Sequence, residues 1–272
     1  MNKLNSIFCT LGLVGLLTSA CTSPAVEETS STETIPTKEH TIQSVLWLQN
    51  SAEYRALSYQ AFNIASLRIE ALQASSDKPL AIITDVDETV LDNSLYSGMQ
   101  IQEDLDYTKE TWVEWGKLKK AEALPGAVQF FNLADSLGIE VFYISNRYNV
   151  QLGETIENLK ELNLPYADSS HVLLRTTSSE KQERRNSVLE NYEVALYMGD
   201  NLSDFSSVFD NQNTASRNQS ADELSESFGD KFIVFPNPMY GDWESKGIYE
   251  NNRSWTNEQR DSIRHAKIRS YK

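Results

Sequence analysis

The chain has 272 residues, enough for one large domain or two modest ones around a sizeable core. Its 39 acidic against 24 basic residues give a formal charge of -15, which repels polyphosphate backbones and argues against a nucleic acid polymer as partner. With 11 Gly, 7 Pro and its only long uncharged stretch at the extreme N-terminus, from Leu4 to Val26, it is neither fibrous nor a multi-span membrane protein.

The N-terminal stretch reads as an address. Lys3 supplies a short positive region, Ile7 to Leu17 an apolar region, and Thr18-Ser19-Ala20-Cys21 a run of small residues ending in cysteine. It resembles a bacterial lipoprotein signal, although Thr18 stands where Leu is usual, and the competing readings are an uncleaved anchor helix or a plain secretory signal. Loss of residues 1–20 leaves Cys21 as a single thiol, and acylation there would remove an unpaired cysteine from an exported protein. Several acyl chains on one terminus suffice for stable anchoring. Residues 22–40, rich in Ser, Thr, Glu and Pro, are expected to form a disordered tether.

Beyond it, Tyr54, Leu57, Ala61, Ile64, Leu67 and Ala71 recur at three- and four-residue steps and predict amphipathic helix over about 41–75. Five apolar runs of strand length follow, Leu80 to Thr84, Ile139 to Ile144, His171 to Leu174, Val194 to Met198 and Phe232 to Phe235. Helical patterns separate them over Gly126 to Leu137, Leu152 to Leu162 and Lys181 to Asn191. Strands alternating with helices predict an α/β fold with a parallel sheet buried on both faces. Ser94 to Leu124 is too long for a simple connection and reads as a small helical insertion above the sheet, and Ser254 to Lys272 as a terminal surface helix. One domain is thus expected over 41–272.

Ligands of an open parallel sheet bind beyond the carboxyl ends of its strands, where every polar cluster of this chain falls. Asp85 and Asp87, two apart at a strand end, leave the same face, and two such carboxylates repel unless a cation or a shared proton intervenes. A hard divalent cation such as Mg²⁺ answers that need, with Asp200 placed to be a ligand from a neighbouring strand. A carboxylate nucleophile, a metal, a lysine and oriented hydrogen-bond donors are the parts phosphoryl transfer needs.

The run Asp85-Val86-Asp87-Glu88-Thr89-Val90-Leu91-Asp92-Asn93-Ser94, together with Ser145-Asn146-Arg147, Ser179-Glu180-Lys181 and Gly199-Asp200-Asn201-Leu202-Ser203-Asp204, resembles the haloacid dehalogenase superfamily. With Phe235-Pro236-Asn237-Pro238-Met239-Tyr240-Gly241-Asp242-Trp243 and the lipoprotein-like signal, it is similar to the class C acid phosphatases, four-aspartate enzymes lipid-anchored to bacterial outer membranes. The resemblance implies a Rossmann-like fold and Mg²⁺-dependent hydrolysis of small phosphomonoesters, especially 5′-nucleotides and nicotinamide mononucleotide. It implies that Asp85 attacks phosphorus to form an aspartyl-phosphate and that Asp87 protonates the leaving oxygen, then activates water. Asp85, the backbone carbonyl of Asp87, and Asp200 would hold the metal. Ser145, Asn146 and Lys181 would bind phosphoryl oxygens, with Asp204 orienting Lys181 or a metal-bound water. Ser203 departs from relatives that often carry a second Asp there.

An acidic activity optimum follows if Asp87 must enter the reaction protonated. Trp112, Trp115 and Tyr240 are candidates for stacking a nucleotide base, against the plain alternative that large aromatics belong to cores. His40, His171 and His265 fall outside every motif, so a histidine-phosphatase mechanism lacks support. Two other readings compete: a phosphotransferase or phosphomutase of the same superfamily, and a non-catalytic surface lipoprotein on the same scaffold.

Overall fold

The computed structural model describes residues 35–72 and 77–272. The signal-like segment, Cys21 and residues 22–34 of the expected tether lie outside the described residues. The last tether residues are already engaged. The Thr37 amide donates to Asp104 at 2.6 Å and Lys38 pairs with Asp106 at 2.9 Å, so the domain begins a few residues before 41.

Two helices, α1 (Ile42–Asn50) and α2 (Ala52–Ala71), open the domain. The sequence reads as one helix here, but Ser51 is extended and its hydroxyl accepts the Tyr54 amide at 3.1 Å, capping a new helix. The buried face of α2 is Tyr54, Ser58, Ala61, Phe62, Ala65 and Ile69, whereas Leu57 and Leu67 of the predicted stripe are exposed. Phe62 decides the orientation by seating its ring among Phe130, Phe131 and Phe235. Burying such a side chain contributes roughly 1.5–3 kcal/mol, more than either exposed leucine forfeits by half-burial.

Next come β1 (Leu80–Thr84), β2 (Leu91–Asp92), α3 (Ser94–Gln102), α4 (Lys109–Leu118), β3 (Glu122–Ala123) and α5 (Ala127–Ser136). They are followed by β4 (Glu140–Tyr148), α6 (Leu152–Glu161), β5 (Val172–Arg175), α7 (Gln182–Leu189), β6 (Glu193–Gly199), α8 (Thr214–Glu223), β7 (Phe232–Val234) and α9 (Asn257–Lys267). The main sheet runs β5-β4-β1-β6-β7, parallel throughout, and its strands coincide with the five apolar runs. Alternation along β1 sends Ile82 to one face and Ala81 and Ile83 to the other, each into its own hydrophobic layer beneath helices. The insertion is two helices, α3 and α4, tied at their base by the antiparallel β2–β3 pair.

His171 sits at the end of the sheet away from the polar clusters. Its Nδ1 lies 2.9 Å from Asp168 and its Nε2 3.0 Å from Glu140, which also accepts the Tyr192 hydroxyl at 2.7 Å. Burial opposes the charged ring, but hydrogen bonds with Glu140 and Asp168 outweigh it and raise the pKa above its ordinary 6.5. Stability of this origin is complete below the unfolded value and is lost as pH rises through the folded one. His171→Gln is therefore expected to lower the urea midpoint more at about pH 5.5 than at about pH 9. An equal loss at both would assign His171 to packing against Phe142 and Tyr166 alone.

Candidate active site

The carboxyl ends of β1, β4 and β6 and the start of α7 meet at one place. Asp85 follows β1 directly, and its amide donates to Met198 of β6 at 2.8 Å, carrying the ladder one residue past the strand. Lys181, at the N-terminal edge of α7, extends its Nζ between the carboxylates of Asp85 and Asp204, the latter at 2.7 Å. These three side chains are nearly inaccessible, at 8%, 5% and 7% exposure.

Asp204 is bent back by its own loop. Its Oδ2 accepts the Asn201 amide at 3.0 Å and lies over Gly199, where an added Cβ would come within 2.5 Å of it, so only glycine fits at the end of β6. Arg185, one turn beyond Lys181 on α7 and almost wholly buried, donates to the Ser203 and Asp204 carbonyls at 2.7 and 3.0 Å. One helix thus delivers the ammonium to the carboxylates and clamps the loop that bears one of them.

Oxygen atoms of Asp85, Asp200 and Asp204 all lie within 4.8 Å of one another. Burial raises the Asp85 and Asp200 carboxyls above the ordinary carboxylate range, while Lys181 pulls against that rise and stays firmly charged between its two partners. Three carboxylates around one ammonium leave negative charge in excess in a buried space. Hard oxygen donors in that arrangement suit a small divalent cation. Asp200 is oriented for it by Asn237, whose amide donates to Oδ2 at 2.8 Å.

The Asp87 carboxylate points elsewhere. Its Oδ1 accepts from Arg147 Nε at 2.9 Å and Nη2 at 2.8 Å and from Asn93 Nδ2 at 2.9 Å, and its Oδ2 accepts the Ser145 hydroxyl at 3.2 Å. Glu88, next in the chain, takes a left-handed conformation at φ 58 that turns the backbone sharply after Asp87, and its carboxylate accepts the Asn93 amide at 2.9 Å. The two motif aspartates, two apart in sequence and expected to leave one face, are therefore separated in role: Asp85 joins the acidic cluster and Asp87 joins a wall of donors.

Ser145 is wholly buried on the same side of β4 as Arg147, whereas Asn146 is exposed and accepts from Arg184 Nη2 at 2.8 Å. Trp115 donates its indole N–H to Asn93 at 2.8 Å, and Trp112 packs on Tyr96 with the Arg147 guanidinium 5.7 Å from its ring. Both tryptophans are under a tenth exposed and sit behind Asp87 as supports, so of the two roles the sequence leaves open, core and stacking, they take the first. Tyr240 is 40% exposed on the loop after β7.

Sequence reading gave no role to Arg147, Asn93, Asn237 or Arg185. For Arg147 a signal was present, because strand alternation places it with Ser145 on the side facing Asp87. For the others only the fold supplies the contact.

The family described as HAD superfamily, subfamily IIIB (acid phosphatase) matches residues 11–243. The class C acid phosphatase from Bacillus anthracis is 38% identical, with 88% of this chain and 100% of that chain covered and a TM-score of 0.84. Its structure with tungstate bound matches equally, at 38% identity and TM-score 0.84.

Proposed function

The chain belongs to the acid phosphatases of HAD subfamily IIIB and is a phosphomonoester hydrolase, and from that premise we propose that it is a Mg²⁺-dependent enzyme working through an aspartyl-phosphate on small phosphorylated metabolites, 5′-nucleotides and nicotinamide mononucleotide foremost. The observation that carries the reading is Lys181 between Asp85 and Asp204, with Asp87 held apart on Arg147. A nucleophile and an acid must occupy different surroundings to do different work on one substrate.

In this reading an Asp85 oxygen forms a bond to phosphorus as the ester bond to the leaving oxygen breaks. Asp87 gives that oxygen its proton, then takes one from the water that attacks the acyl phosphate, releasing inorganic phosphate and restoring Asp85. Lys181 and the Ser145 hydroxyl would neutralise and orient phosphoryl oxygens, and Arg185 would keep Asp204 aligned with Lys181. Asp85, the Asp87 carbonyl and Asp200 would hold Mg²⁺, which supplies positive charge for the phosphoryl oxygens. Tungstate on the Bacillus anthracis relative supports an oxyanion site, since tungstate shares the tetrahedral shape and charge of phosphate.

The test is phosphate release from a 5′-nucleotide by the purified full chain in detergent at mildly acidic pH. Activity that chelation removes and Mg²⁺ restores is the expected result. Activity indifferent to chelation, or rising steadily into alkaline pH, would overturn the metal or the protonated Asp87.

The signal-like residues 1–20 and Cys21 support export and lipid anchoring in the cell envelope as part of the same proposal. Cys21→Ser is expected to move the protein from the detergent-extracted membrane fraction to the soluble one. A variant that stays membrane-bound would favour an uncleaved anchor helix.

A further inference from the structure

The site has a positively charged rim on the side of Asp87. Tyr148 ends β4 one residue after Arg147 and is paired in register with Arg175 at the end of β5. The Arg175 guanidinium lies 4.2 Å from the centre of the Tyr148 ring, and the Lys109 ammonium, from the first turn of α4, lies 4.9 Å from it. Tyr107 donates its hydroxyl to that of Tyr148 at 3.2 Å and stands 6.1 Å from the Trp112 ring that backs Arg147. A contact path therefore runs from Asp87 through Arg147 and Trp112 to this rim.

Two cations drawn to one ring repel each other, and among the described residues neither has a carboxylate within ion-pair distance. Asp106, close by in sequence, is already taken by Lys38 and Arg260. Arg184 adds a third positive charge nearby, with its own donors spent on the Ser145 carbonyl and Asn146. In a chain of formal charge -15, Lys109 and Arg175 side by side with no carboxylate in ion-pair distance among the described residues are out of keeping with the rest of the surface. A ring supports a cation, but it does not cancel the repulsion between two of them; an anion would.

We propose that Lys109 and Arg175, gathered on Tyr148 beside the leaving-group acid, form a subsite for a second anionic group on the alcohol portion of the substrate. Among nucleotides and simpler phosphomonoesters alike, those whose alcohol portion carries a further carboxylate or phosphate are then turned over faster than their counterparts without one. This rests on the phosphatase reading, because it is Asp87 as leaving-group acid that gives the rim its side of the substrate. Tyr148 is the surface the two cations share, and they set the charge of the subsite.

Phenyl phosphate, meta- and para-carboxyphenyl phosphate and their uncharged carbamoyl counterparts separate charge from size and from leaving-group quality. The wild-type full chain is expected to favour at least one carboxylate over its carbamoyl partner by about tenfold in kcat/KM, a preference that shrinks with added salt. Lys109→Gln with Arg175→Gln is expected to bring that ratio to about one while leaving phenyl phosphate turnover unchanged. Lys109→Gln alone, at an exposed position, is expected to lower the ratio in part without affecting folding. Equal handling of charged and uncharged partners by the wild type, or a ratio that survives the double substitution, would overturn the subsite. Absence of phenyl phosphate turnover would instead remove the phosphatase reading and the subsite with it.

Discussion

Asp85→Asn is expected to abolish phosphate release, by on the order of 10⁴-fold or more, while leaving a folded protein that melts at or above the wild-type temperature. The activity loss follows from chemistry, since an amide oxygen is too weak a nucleophile to displace the alcohol from phosphorus. The stability follows from burial. Asp85 is charged at a cost, with Asp204 and Asp87 adding like charge and Lys181 only partly offsetting it. Removing the carboxylate relieves that repulsion, and Lys181 keeps Asp204 at 2.7 Å.

The pH dependence has a definite sign. A carboxyl whose folded pKa is raised binds more protons folded than unfolded, so metal-free stability falls as pH rises above the ordinary 3.8 of Asp85. In Asp85→Asn that fall is smaller, and the two proteins, alike in strong acid, diverge toward neutral pH. Differential scanning calorimetry in chelator across that range, paired with phosphate release, checks both halves. An inactive variant that is also unfolded would make Asp85 structural, and activity within tenfold of wild type would move the nucleophile elsewhere.

What the sequence made legible is what depends on local pattern. The five strands were readable because each is an apolar run ended by a polar cluster, and Asp85 and Asp200 because chemistry needs carboxylates at those ends, whereas only the family resemblance picks Lys181 out of a polar stretch. The break at Ser51 was not, since the sequence reads as unbroken helix over about 41–75 and only the cap hydrogen bond marks the new helix. The buried stripe of α2 was misplaced for a related reason: Leu57 and Leu67 are as apolar as the residues that pack, and Phe62 outweighs them through rings from α5 and the loop after β7. Asn237 reaches Asp200 across 37 residues of chain, and Arg147 reaches Asp87 across 60. The first contact leaves no trace in spacing, and for the second strand alternation gives only the face that Arg147 shares with Ser145. The tryptophans were ambiguous in kind, because an aromatic beside a site can face the ligand or brace the residues that do.

Arg147 is where that bracing has the largest measurable consequence. Its guanidinium, 2% exposed, places Nε and Nη2 on one Asp87 oxygen and Nη1 3.3 Å from Thr155, under the Trp112 ring. Two donors on Oδ1, with the Ser145 hydroxyl on Oδ2, hold the carboxylate from both oxygens, and a lysine, with one point of attachment, loses half of the hold on Oδ1. Arg147→Lys is therefore expected to lower kcat by about 10²- to 10⁴-fold for substrates with poorly departing alcohols, the range general-acid catalysis contributes, and far less for 4-nitrophenyl phosphate. That leaving group departs without a proton, so it reports attack by Asp85 with little help from Asp87. Arg147→Met should show the same split and in addition lose about 3–5 kcal/mol of stability, because Asp87 then lacks its buried partner. Equal losses on both substrate types in Arg147→Lys would mean that the pair only holds the loop between β1 and α3 in place, and that Asp87 does not protonate the leaving oxygen.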